Sequence, residues 1–189
     1  SVGRMLEYID KNNLTKNTIV IYSSDQGFFL GEHGWYDKRW MFEESFRMPF
    51  IIRWPDTIKP GSKPVSLIQN IDYAPTVLDI AKINIPKEVQ GRSLINLFQG
   101  KEKSWRQSLY YSYYELGEHA VPQHFGVRTA RHKLMYFPTN NEWNLFDLQK
   151  DPYELKSVHS EPFYEKKLDD LKKEFYRLRK HFNAPDFSE

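Results

Sequence analysis

A chain of 189 residues, 40% hydrophobic and 16% aromatic, suits one domain or one and a half and is rich enough in apolar residues for a core, which excludes a disordered chain. Its 27 basic and 25 acidic residues leave a net charge of +2, which argues against nucleic acid as the main partner. There is no cysteine, so disulfide scaffolds, thiolate zinc sites and thiol nucleophiles are excluded within the chain; no apolar run approaches the roughly 20 residues that span a bilayer.

The first element is a helix over residues 2–11, where Val2, Met5, Leu6 and Ile9 recur at helical spacing. Opening inside an amphipathic helix, without a signal sequence, it reads as a piece of something longer. "NNLTKN" is the turn that ends the helix. "TIVIYSS" follows, apolar at successive positions, as expected of a strand buried on both faces of a parallel sheet. A second short run, Phe50–Ile52, closes on Trp54-Pro55, and "DTIKPGSKP" is a turn-rich loop. Asp72 is placed to cap the helix of "IDYAPTVLDIAKI", with Pro75 tolerable in its first turn. A short helical piece is expected at Leu94–Phe98.

The pattern changes near residue 104. "SLYYSYYE", "FGVRTARHKLMYFP" and "EWNLFDLQKDPYE" read as antiparallel strands. Phe163 or Tyr164, then Leu168, Leu171, Phe175, Leu178 and Phe182, form one apolar stripe on a closing helix. The fold class is therefore α/β followed by a small α+β subdomain, an antiparallel sheet with a C-terminal helix. The boundary falls between residues 1–103 and 104–189.

Chemistry concentrates after the first strand. Asp25, Gln26 and Gly27 stand just past its C-terminal end, where ligands bind in open α/β sheets. The Asp carboxylate and the Gln carbonyl are hard oxygen ligands suited to Ca²⁺ or Mg²⁺. Taken alone, the tripeptide reads as an ordinary strand-end turn. In "LGEHGWYDK", Lys38 is a compact cation suited to an anionic oxygen; His33 reads as a solvated or structurally bonded histidine, and Glu32 and Asp37 as solvated charges.

Taken together, "SSDQGFFLGEHGWYDKRWMFEESFRMPFIIRWP", "NIDYAPTVLDIA", "QGRSL", "HFGVRTARHKLMYF" and "WNLFDLQKDPYELKSV" resemble, in order along essentially the whole chain, the sulfatase family of the alkaline-phosphatase-like superfamily. "YYSYYELGEHAVPQHFGVR" looks like members acting on sulfated glycans. The resemblance implies the C-terminal portion of a formylglycine-dependent enzyme hydrolysing sulfate esters, with a sulfated carbohydrate as substrate. By the same resemblance, Asp25 matches a ligand of the active-site divalent cation, usually calcium with magnesium as the variant. Gln26 matches the next ligand, where other members carry Asn or His. Lys38 matches the lysine that contacts sulfate. The Cys-x-Pro/Ala-x-Arg nucleophile motif has no counterpart, so the formylglycine and the first metal pair are expected upstream, in a missing N-terminal part of the catalytic domain. This portion alone is expected to be inactive. A periplasmic, secreted or lysosomal location is implied as well.

His119 and His124, with Gln123, lie in "GEHAVPQHFGVR" between two expected strands, where they would reach a glycan or stand as solvated loop residues. Arg128 and Arg131 read as surface or structural charges. Trp35, Tyr36, Trp40 and the tyrosines of 110–114 read as core or as platforms for sugar rings. Two other readings stay open: a phosphoester hydrolase of the same superfamily, and a non-catalytic interaction module.

Overall fold

The computed structural model describes residues 1–115, 117 and 119–187. In chain order its elements are α1 (Val2–Lys11), β1 (Val20–Ser23), β2 (Phe29–Leu30), β3 (Tyr36–Asp37), α2 (Glu43–Phe46), β4 (Phe50–Arg53), α3 (Tyr73–Ile80), α4 (Ile95–Phe98), β5 (Ser108–Tyr113), β6 (His124–Thr129), β7 (His132–Phe137), β8 (Glu142–Asp147) and α5 (Glu165–His181). The chain divides into two compact units: Ser1–Asp25 with Met48–Trp105, and Gln26–Arg47 with Arg106–Glu189.

In the first unit, β1 pairs antiparallel with β4, from Val20 opposite Arg53 to Ser23 opposite Phe50. The expectation of a parallel sheet buried on both faces is corrected here. Ile21 and Tyr22 are exposed, and Ile51 is 64% exposed. The unbroken apolar run leaves Ile21 uncovered on one side of the pair and Tyr22 and Ile51 uncovered on the other. The β1 end is pinned by the Ser23 hydroxyl, which reaches the Pro49 carbonyl at 2.9 Å and the Tyr73 hydroxyl at 2.7 Å.

Asp72 differs from its expected role. It precedes α3, but its carboxylate makes no capping bond to that helix. It turns back and accepts the Gln69 N–H and the Arg92 N–H, each at 2.8 Å. The side chain is fully buried, so these bonds replace its lost hydration. Thr76, one turn into α3, takes the Leu94 N–H at 3.0 Å. Gly91 packs so tightly on the Ile71 carbonyl that no Cβ fits, which seats the "QGRSL" loop on the start of α3.

The second unit is built on a four-stranded antiparallel meander, β5-β6-β7-β8. The run read as "FGVRTARHKLMYFP" is two strands joined by a tight turn; the Thr129 hydroxyl bridges it, taking the His132 N–H at 2.9 Å and donating to the His132 carbonyl at 3.1 Å. Strand alternation sends Phe125, Val127, Leu134 and Leu145 to one face, where Leu171, Phe175 and Leu178 of α5 and the preceding Tyr164 cover them. Tyr164, not Phe163, enters this core. Fully burying one such side chain contributes about 1.5–3 kcal/mol.

The opposite face buries Met135 and Phe146 beneath Met41, with Phe42 and Phe46 packed alongside. Residues 26–47 thus belong to this sheet's second layer. Gly126 makes that possible: a Cβ there would collide with the Met41 sulfur. A buried ionic cluster fastens the same layer. Lys133, with no exposed surface, lies 2.9 Å from Glu43 and 2.7 Å from Glu154; Glu154 also accepts the Glu43 N–H at 2.7 Å. Arg128 completes the cluster against Glu43 at 3.2 Å. Arg131 makes a two-pronged pair with Asp147 at 2.8 and 2.6 Å, and the Tyr164 hydroxyl adds a third bond at 2.8 Å. Both arginines are structural charges, Arg128 held by Glu43 of α2 and Arg131 by Asp147 of β8.

Candidate functional site

Asp25 lies in the bend that follows β1 and is exposed. The Asn70 amide holds its backbone carbonyl at 3.2 Å, and its carboxylate accepts the Ser24 hydroxyl at 3.2 Å. Gln26, the next residue, is half-buried. Both furnish neutral or anionic oxygen, the donor type that calcium and magnesium take. Among the described residues, no cluster of three or more His, Cys, Asp or Glu side chains is placed to hold a metal. Calcium takes roughly six to eight oxygens. The donor chemistry of each suits a hard cation, and the described residues place no complete ligand set for one.

Lys38 follows β3 in the second unit. It is half-buried and makes no ion pair with the described residues. A partly desolvated cation without a counter-charge is suited to receive an anion. Its neighbours are unusual: Asp37 has φ 133° and Arg39 has φ 89°, both in the region that favours glycine. The Arg39 guanidinium pairs with the Asp37 carboxylate across Lys38. The Arg39 N–H donates to the Ser45 hydroxyl at 3.0 Å, and the Tyr111 hydroxyl donates to the Arg39 carbonyl.

His119 sits beside this stretch, about one-third exposed. An Arg39 N–H meets its Nε2, so that nitrogen accepts and Nδ1 carries the proton. Nδ1 faces the Glu115 carboxylate at 3.2 Å, and Glu115 also accepts the Tyr113 hydroxyl at 2.6 Å. Asp37, Arg39, Glu115 and His119 thus form one polar cluster next to Lys38. The sequence reading singled out His119 but took Asp37 as solvated and passed over Arg39 and Glu115. The signal available was the charge on both sides of Lys38. Leu116 and Glu118, which fall in the same loop, lie outside the described residues.

His124 requires a correction. It begins β6 and does not lie in the loop, and it is fully buried. Its Nε2 accepts the Met41 N–H at 3.1 Å, and its Nδ1 faces the Pro122 carbonyl at 2.9 Å and donates to it. The rings of Trp40, Tyr111, Tyr113 and Phe137 pack around it, 5.3–5.6 Å between centroids. Burial pushes its pKa down to about 4, so the ring is neutral near pH 7. With both nitrogens engaged and no exposed surface, it has nothing to offer a glycan. Gln123 is buried too, donating to the Tyr114 carbonyl at 2.5 Å.

His33 likewise is structural. It stacks on Phe42 at 4.1 Å, with Nε2 3.5 Å from the Glu44 carboxylate. Trp35 and Trp40 are half-buried and line an open cavity of 590 Å³ with Phe29, His33, Phe42 and Phe137.

Comparison with known proteins gives the site its setting. The family described as "N-sulphoglucosamine sulphohydrolase, C-terminal" matches residues 31–181. An N-acetylglucosamine-6-O-sulfatase of Bacteroides thetaiotaomicron is 43% identical, covering 100% of this chain and 35% of that protein. An arylsulfatase of Clostridium perfringens is 33% identical over 91% of this chain and 36% of its own length. A solved structure in complex with its substrate, D-glucosamine-2-N,6-O-disulfate, superposes with a TM-score of 0.93 at 42% identity, over 98% of this chain and 39% of that one. The chain spans about a third of the length of the curated relatives it matches. Because the family match runs through most of the sequence, from the Lys38 segment to the end of α5, this chain belongs to the sulfatase family and corresponds to its C-terminal portion.

Proposed function

We propose that this chain forms the late-strand part of the active site of an enzyme that hydrolyses sulfate esters of sulfated carbohydrates. The observation that carries the reading is Lys38: a half-buried cation with no counter-ion among the described residues, in a stretch matched by the family. Its ammonium would contact the sulfate and offset charge on the bridging oxygen as the S–O bond breaks. Asp25 and Gln26 would hold part of a calcium site, with magnesium as the variant. Bound there, the cation would screen sulfate charge and orient the ester. His119, held at Nε2 by Arg39 and at Nδ1 by Glu115, would pack the exposed carbon edge of its ring against a sugar. His124 supports the loop and Met41 and takes no part in substrate contact.

The nucleophile and the remaining metal ligands would come from the rest of the catalytic domain, whose apolar surface would also cover the exposed side chains of Ile21, Tyr22 and Ile51. In this reading residues 1–103 are the C-terminal part of that domain and residues 104–189 a subdomain that supports Lys38 from behind. Among the described residues, no helix is long and apolar enough to cross a membrane. A periplasmic, secreted or lysosomal setting would suit an enzyme that acts on sulfated glycans.

The test is a pair of variants in the intact enzyme. Asp25→Ala is expected to weaken calcium binding by calorimetry and abolish turnover together. Lys38→Ala is expected to leave calcium affinity intact while turnover falls by about 10²–10³, the order seen on losing one preorganised electrostatic donor. Normal calcium binding by the first, or normal turnover by the second, would remove these assignments. Turnover of phosphate esters in preference to sulfate esters would favour the phosphoester-hydrolase reading.

A further inference from the structure

The backbone around Lys38 is held in a conformation that its own sequence does not favour. Asp37 and Arg39 bracket it at φ 133° and 89°, where a Cβ is unfavourable, and neither is glycine. Such a conformation persists only where the surroundings over-determine it. Here they do so at Arg39, whose two backbone polar groups are both taken by side chains, one from the same segment and one from β5. The N–H goes to the hydroxyl of Ser45, a buried residue of α2, at 3.0 Å. The carbonyl receives the hydroxyl of Tyr111, from β5.

Tyr111 is itself fixed. Its ring packs edge-on against Phe46, 5.6 Å between centroids, and lies 5.3 Å from the His124 ring. Burial pushes its pKa up, so it stays protonated and a donor around neutral pH. The Asp37 side of the bracket is held differently, by pairing with Phe29 in the β2–β3 ladder and by the Arg39 guanidinium. Lys38 therefore projects from a backbone clamped on both sides.

We propose that Tyr111 and Ser45 are positioning residues for Lys38, acting through the Arg39 backbone to hold its ammonium where a sulfate oxygen arrives. This rests on the reading of Lys38 as the sulfate contact. Neither hydroxyl touches substrate in this account. Each removes a way for the 37–39 backbone to relax, so that the cation is pre-placed and need not be ordered at the moment of reaction.

The experiment is a double-mutant cycle in the intact enzyme, with Tyr111→Phe and Ser45→Ala each made alone and in a Lys38→Ala background. Tyr111→Phe keeps the ring and its packing, and Ser45→Ala supplies an independent arm. Each single variant is expected to lower kcat on a small aryl sulfate roughly tenfold, the scale of one lost hydrogen bond, and to weaken inhibition by inorganic sulfate in parallel. Calcium affinity is expected to stay unchanged. In the Lys38→Ala background neither substitution is expected to cost anything further. A full additional loss in that background, or wild-type kcat and sulfate inhibition in both single variants, would overturn the clamp. If Lys38→Ala alone retains wild-type turnover, the sulfate reading of Lys38 fails first and the clamp falls with it.

Discussion

His124 makes the stability of the second unit sensitive to mild acid. Its ring is uncharged in the folded protein because no water reaches it and its Nε2 already accepts the Met41 N–H. Unfolded, it titrates near the ordinary 6.5; folded, near 4. The folded pKa is depressed, so its contribution is fully present above 6.5, where neither state binds the proton. It is lost as pH falls from 6.5 to about 4. At about 1.4 kcal/mol for each tenfold change in proton affinity, the loss amounts to ~3 kcal/mol. The perturbation is His124→Gln, which keeps an acceptor for Met41 and removes the titration. Urea unfolding followed by tryptophan fluorescence between pH 7.5 and 4 measures it; Trp40 packs 5.3 Å from the His124 ring and reports locally. His132, whose pKa burial also lowers, titrates in both proteins and cancels in the difference. The variant is expected to be less stable at pH 7.5 but to lose ~3 kcal/mol less on acidification. Parallel loss in both proteins would refute the assignment of a neutral, buried His124.

Phe175, fully buried at the centre of the α5–sheet core, is expected to cost about 3–5 kcal/mol when changed to Ala, read as a lowered urea midpoint. His119→Ala is expected to impair hydrolysis of a sulfated glycan roughly tenfold more than that of a small aryl sulfate, the scale of one lost packing contact; equal losses on the two substrates would place His119 in the catalytic core or in folding.

Much of the second unit was legible in the sequence because its signals are local. The spacing from Leu168 to Phe182 marks α5, and aromatic runs broken by turn residues mark β5 to β8. The antiparallel partner of β1 was not legible, because an unbroken apolar run specifies burial but not direction. Asp72 precedes a helix as a cap should, yet serves a turn behind it and a loop 20 residues ahead. His124 looked like a loop residue because nothing near it in sequence announces the Met41 N–H, 83 residues away. The same distance hid the second layer of the sheet. One trace of it was readable: Gly126, inside a strand pattern, signals close approach by another part of the chain. In the candidate site, Asp25, Gln26 and Lys38 stood out through the motif that contains them. The Asp37–Arg39–Glu115–His119 cluster did not, because it joins two segments about 80 residues apart.

The layer formed by residues 26–47 has a consequence for the order in which the protein is made. Its anchors lie late in the chain: His124 binds the Met41 N–H from 83 residues downstream, and Glu154 binds the Glu43 N–H from 111 residues downstream. On a ribosome the Lys38 segment emerges long before either partner exists. The apolar side chains of Met41, Phe42 and Phe46 must then wait, uncovered, until β7 and β8 have been synthesised and paired. The layer that carries Lys38 can be fastened through Glu154 only after the chain has grown past residue 154.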